Sequence, residues 1–159
     1  LRRGYVYTIG GKRCFVFGGA RSVDRKSRTP GKSWWPEEIP SAEEYRRGLD
    51  SLEVCGWSVD WILTHTAPNH ILHALDLHKY LAGDPVSAYL DEIHREIAYE
   101  KWFCGHLHRN RCFPNDRIHV LRENIVNGDT EEVVSVERDR PPLRERIRSF
   151  ARLRPLEGD

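Results

Sequence analysis

One hand-over constrains this chain more than any other feature. Val86, Tyr89, Leu90, Ile93 and Ile97 recur at helical spacing, an apolar stripe that asks for a core to pack against. The stripe runs directly into an apolar strand, and that strand empties into Gly105-His106-Leu107-His108-Arg109-Asn110. A helix feeding a strand in this way is the grammar of an α/β fold. On an extended backbone His106 and His108 would face the same side while Leu107 points back to the core. Gly105, with no Cβ, would let the chain turn or let another group come close.

The rest of the chain repeats the pattern. Tyr5-Val6-Tyr7-Thr8-Ile9 and Arg13-Cys14-Phe15-Val16-Phe17 flank Gly10-Gly11, which predicts a β-hairpin with a two-residue turn. A long polar loop spans residues 20–40. Its adjacent Trp34 and Trp35 argue for order, and a loop of this length is usually functional or disordered. Gly31-Lys32-Ser33 is not a phosphate-binding loop, because Lys26 stands where the first glycine of that motif belongs. Ser41-Ala42-Glu43-Glu44 is a capping box. It opens a helix carrying Tyr45, Leu49, Leu52 and Val54 and stopping near Gly56. Val59-Asp60-Trp61-Ile62-Leu63 is a strand, and it delivers Thr64-His65-Thr66-Ala67-Pro68 at its end.

His70, His73, His78 and Asp76 lie on a possible helix; without metal-ligand spacing, they read as surface residues. Asp84-Pro85 predicts an N-cap with proline at the first helical position. Arg117–Leu121 and Glu132–Val136 read as strands, with Asn127-Gly128-Asp129 as a turn.

Length and charge narrow the class. The 159 residues suit one domain with a substantial core, and a formal net charge of +1 gives no global pull toward nucleic acid. No apolar run is long enough to cross a bilayer, and no signal-peptide pattern opens the chain. Cys14, Cys55, Cys104 and Cys112 form no C-x-x-C pair and are read as buried thiols of a cytoplasmic protein. Cys104 and Cys112, flanking the histidine pair, are a second-choice zinc set. The chain contains no methionine, so it is read as a fragment or processed product. Residues 1–137 are taken as the domain and 138–159 as a tail. Seven arginines lie between Arg138 and Arg154, diluted by Glu137, Asp139, Glu145 and Glu157. That tail is read as a docked amphipathic helix in preference to a nucleic-acid patch.

Two strand ends therefore carry histidine: His65 on one, His106 and His108 on the other. Convergent neutral imidazoles suit zinc, iron, manganese or nickel. Arg21, Asp24 and Arg28, in the loop leaving another strand, are the expected polar neighbours. Arginine there suits a phosphate, which it can grip bidentately.

Gly105-His106-Leu107-His108 after an apolar strand resembles the closing motif of calcineurin-like metallophosphoesterases. Thr64-His65-Thr66-Ala67-Pro68 resembles the preceding histidine-to-proline motif of that superfamily. Phe17-Gly18-Gly19-Ala20-Arg21-Ser22-Val23-Asp24-Arg25, then Gly31-Lys32-Ser33-Trp34-Trp35-Pro36-Glu37-Glu38, is similar to a small bacterial branch of it. The resemblance spans about residue 5 to residue 136. It implies two packed sheets flanked by helices, with a two-metal site at the strand ends. His65 and His106 would bind one divalent ion and His108 the other, activating water for attack on a phosphoester.

The superfamily's opening Asp-x-His, Gly-Asp and Gly-Asn-His motifs have no counterpart here. Asp76-Leu77-His78 has the letters of the first but falls after the hairpin. The resemblance thus covers a C-terminal half whose N-terminal half, a possible partner, supplies the remaining ligands; alone, this half is expected to be inactive. The competing readings are a partner-binding domain of the same fold and a nucleic-acid-binding domain.

Overall fold

The computed structural model describes residues 1–22, 24–79 and 81–136. The chain divides into two compact units, Leu1–Arg122 and Glu123–Asp159. The expected arginine-rich tail helix lies outside the described residues.

The first unit is built on a six-stranded mixed sheet. β1 (Tyr5–Ile9) and β2 (Lys12–Phe17) form the expected antiparallel hairpin. Gly10 and Gly11 both take positive φ, 57° and 81°, a conformation that matches the twist of two-residue hairpins. β3 (Ser58–Thr64), β4 (Ala98–Cys104) and β6 (Ile118–Val120) then add in parallel to β2. β5 (Arg111–Phe113) closes the far edge antiparallel to β6. The order is β1-β2-β3-β4-β6-β5.

Three helices lie between the parallel strands in sequence. α1 (Ala42–Val54) starts on the predicted capping box, with both reciprocal hydrogen bonds of Ser41 and Glu44 formed. α2 (Asn69–Ala74) is short. α3 (Pro85–Glu96) is capped by Asp84, whose carboxylate accepts from the Val86 N–H. On α1, the predicted stripe holds only in part: Leu52 is buried, but Leu49 and Val54 are exposed. Gly48 takes their place, because its bare backbone sits against the Tyr89 hydroxyl and the Phe17 ring.

Register places the core. Phe15, Ile62, Trp102 and Ile118 pair across β2, β3, β4 and β6 in one row. All four are fully buried, and they share one cluster with Leu52, Ile71, Leu90 and Ile93 of the helices. The alternate residues of the same strands point to the other face. There Val16, Trp61, Leu63 and Phe103 are only half-buried.

The second unit contains a small antiparallel sheet, β7 (Asn124–Val126) with β8 (Val133–Val136). The Asn127 side chain accepts from the backbone N–H of Asp129 and Thr130, making the predicted turn. The sequence pattern marks β8 but not β5 or β7, which are three residues each and too short to show a period. The architecture is thus mixed α/β, with one large and one small sheet. No helix among the described residues is long and apolar enough to cross a membrane.

Candidate functional site

Phe17, Thr64, Cys104 and Val120 are cross-sheet partners in a single row at the carboxyl ends of four parallel strands. The segment leaving each strand is therefore delivered to one rim, the usual site position in open α/β sheets. Backbone bonds carry the alignment past the strand ends: His65 N–H to Phe17 O, Gly105 N–H to His65 O, and Leu121 N–H to Cys104 O. A cavity of about 660 Å³ opens there, with Ser22, Arg28, Glu38, His65, His106 and His108 on its walls. The three predicted histidines are thus neighbours around one space. The His65 and His106 rings lie 4.7 Å apart, centroid to centroid.

The local reason differs from the one the sequence suggested. Residues 106–108 are not extended. His106 and His108 both occupy left-handed backbone, at φ 62° and 51°, and the Leu107 N–H bonds to Gly105 O at 2.7 Å. The turn, not strand alternation, presents both imidazoles, while Leu107 is buried as expected. Nor does Gly105 take a positive φ, and a Cβ there would make ordinary contacts only. Non-glycine residues in this conformation cost of order 1 kcal/mol each, and such strain concentrates where a side chain must be aimed.

His65 is held from beneath. The Thr64 hydroxyl accepts from the Trp102 indole N–H at 2.8 Å and donates to Thr66 O at 2.6 Å. The Thr66 hydroxyl meets the buried Ser87 hydroxyl, which donates to Asp84. Desolvation pulls the His65 imidazole below its ordinary range although the residue is partly exposed to solvent, and the Glu38 and Asp84 carboxylates oppose this. Desolvation, reinforced by His65 and His108, lowers His106 as well. Both rings are therefore neutral at neutral pH, the state in which an imidazole nitrogen can donate to a metal.

The three loop residues expected to bind substrate separate. Arg28 lines the main cavity; its guanidinium also pairs with Asp24 at 2.8 Å and donates to Ser33 O. Asp24 lies in an adjoining cavity of about 320 Å³, also lined by Arg28, His106 and His108. Arg21 lines neither cavity. Its backbone N–H bonds to the Asp84 carboxylate, and its guanidinium to Gly83 O, so it ties the loop to the α3 N-terminus. Of the two tryptophans only Trp34 supplies the order expected: it is buried, with the Arg25 guanidinium 4.0 Å over its ring, whereas Trp35 is exposed.

Cys104 does not complete the histidine set. It belongs to the helix-side core, and burial pushes its thiol up to about 12. Cys112 is exposed and Cys55 half-buried, so only Cys14 and Cys104 fit the reading of buried thiols. Asp76 and His78 line neither cavity; they come after α2, and the His78 ring stacks on His73.

No family model, curated protein or solved structure matches this chain. Chemical competence must therefore be judged on the side chains themselves. Two desolvated, neutral imidazoles and a third on the same turn suit a divalent transition ion. Glu38 is the carboxylate on the cavity wall, and it is engaged by the Ser22 hydroxyl. A two-metal centre needs further carboxylates, bridging and terminal, than that wall supplies. Sequence reasoning does not single out Glu38 or the Trp102–Thr64 brace. The signal for Glu38 is its place at the end of a tryptophan-anchored loop that leaves a parallel strand.

Proposed function

We propose that this chain is the C-terminal half of a metal-dependent phosphoesterase, hydrolysing a phosphomonoester or phosphodiester. The observation that carries the reading is the delivery of His65, His106, His108 and Arg28 to one cavity by successive parallel-strand ends. His65 and His106 would hold one divalent ion and His108 a second, manganese, iron, zinc or nickel. Held there, such ions would supply a water nucleophile at neutral pH and offset charge on the phosphoryl oxygens. Arg28 binds and orients a phosphoryl oxygen, already pre-set by its bonds to Asp24 and Ser33. The Trp102–Thr64 brace fixes the His65 backbone, and the left-handed turn fixes His106 and His108.

The missing carboxylates come, in this reading, from a segment or partner chain beyond these residues. A two-sheet sandwich is supported by the apolar, half-buried face of Val16, Trp61, Leu63 and Phe103, suited to a second layer. Four free cysteines support a reducing, cytoplasmic setting.

The test is hydrolysis of a chromogenic phosphodiester in manganese, by the protein produced with its upstream coding sequence. Activity is expected there and in neither His65→Ala nor His108→Ala, and metal content should fall in step. Unchanged metal content in both variants overturns the assignment.

A further inference from the structure

A second constellation stands apart from the strand-end cavity. His70 on α2, His94 on α3 and Asp116 in the β5–β6 turn place one ligand atom each within 4.8 Å of one another. None of the three lines the cavity that holds His65 and His106. By sequence His70 reads as a surface residue, and His94 and Asp116 carry no signal.

The tautomer of His70 decides what the cluster can do. Its Nδ1 lies 2.7 Å from Asp91 Oδ1, and the same oxygen accepts the His70 backbone N–H. That oxygen accepts from both His70 groups, which turns the ring's Nδ1–H toward Asp91. That leaves the Nε2 lone pair, which is buried and has no hydrogen-bond partner. A buried nitrogen without a partner is destabilising, so its setting needs a reason.

The groups facing it supply one. Asp116 Oδ1 lies 3.7 Å from His70 Nε2 and 3.8 Å from His94 Nε2. These gaps are too long for hydrogen bonds. They are a few tenths of an ångström wider than the ~3.4 Å between ligands around a tetrahedral zinc with bonds near 2.1 Å. The His94 ring packs 4.4 Å from His70 and 6.0 Å from both Tyr99 and Trp102, which fixes its edge toward the same point. The Tyr99 hydroxyl bonds to Asp116 O, anchoring the third ligand's backbone. Asp91 completes the pattern of a carboxylate behind a metal-bound histidine.

We propose that His70 Nε2, His94 Nε2 and Asp116 form a zinc-class divalent metal site that clamps α2, α3 and the β5–β6 turn together. Two imidazoles and one carboxylate with an open fourth position suit zinc or cobalt better than calcium or magnesium, which prefer oxygen.

The experiment uses the whole chain stripped with chelator and titrated with cobalt, then zinc, in a His65→Ala/His106→Ala/His108→Ala background that removes the strand-end imidazoles. One equivalent of cobalt with tetrahedral visible absorption is expected, displaced by zinc, with zinc raising the thermal midpoint. Asp116→Asn should weaken binding at least tenfold and abolish the midpoint shift. Asp91→Asn, which touches no metal, should weaken it tenfold or more while leaving the chain folded by circular dichroism. No bound cobalt in the triple variant, or equal affinity with and without Asp116→Asn, overturns the site. Because the strand-end histidines are absent throughout, failure of the phosphoesterase reading leaves this result untouched.

Discussion

The strand-end cavity and the His70–His94–Asp116 cluster gather the same kinds of side chain, imidazoles with a carboxylate, but are built by opposite routes. The cavity is assembled by the sheet: parallel register brings four chain ends to one rim, and the histidines come directly after their strands. The cluster is assembled by packing, drawing one ligand from each of two helices and one from a turn. The first is wide and open, with three imidazoles around about 660 Å³. The second is tight, with ligand atoms already within 4.8 Å and a carboxylate behind one ring. The cavity suits turnover of a substrate, since exchange needs space. The cluster suits a fixed ion, since its gain lies in tying elements together.

Trp102 is where the comparison breaks most sharply, because it serves both. Its indole N–H bonds the Thr64 hydroxyl next to His65, and its ring backs His94. The side chain is fully buried. Trp102→Ala should cost about 3–5 kcal/mol in chemical denaturation and weaken metal binding at both places. Trp102→Phe keeps the ring against His94 but drops the bond to Thr64. It should cost about 1–2 kcal/mol and lower metal affinity at the strand ends alone. Equal losses at both sites in Trp102→Phe would mean that the brace is not what separates them.

Gly48→Ala gives a smaller effect and bears on neither ligand set. A Cβ there collides with the Tyr89 hydroxyl, which donates to Tyr45 O. Overpacking of this kind costs about 1–3 kcal/mol. Stability should fall while metal stoichiometry at both sites is unchanged; a lost equivalent would show that α1 packing, and not the local ligands, sets the sites.

The two routes also explain what the sequence disclosed. Strand-end histidines are legible because a strand's end is visible in one dimension: Leu63 stops the apolar run just ahead of His65. His106 and His108 are legible by spacing, although a left-handed turn does the aiming. The helix caps at Ser41 and Asp84 are legible because capping is local. His94 is not, since on α3 it is a polar residue beside Ile93 and nothing local marks it as inward. Asp116 lies before a three-residue strand, below the length at which periodicity speaks. Gly48 escapes notice because a stripe is read from large side chains, whereas here the close contact requires the absence of one.

Acidification tests both regions through proton competition for imidazole, so the part owed to neither must be known first. Glu44 provides it. Burial disfavours its charge, but the Ser41 N–H and the Arg3 guanidinium, at 2.9 Å, prevail and hold its carboxyl below the ordinary value. A carboxyl lowered on folding adds stability that is complete above its unfolded value, near 4.3. That stability is lost as the pH falls through the folded value. Both side chains are largely shielded, at 18% and 25% exposure, so a contribution of about 0.5–1 kcal/mol is expected at neutral pH. Arg3→Gln should remove the guanidinium's share of it and leave the Ser41 share, making the stability profile shallower below pH ~4.5 while leaving the region near pH 6.5, where imidazoles titrate, unchanged. If Arg3→Gln instead alters the profile near pH 6.5, the acid response cannot be divided between carboxylate and imidazole. Proton release on metal binding would then be the remaining way to tell the two histidine sites apart.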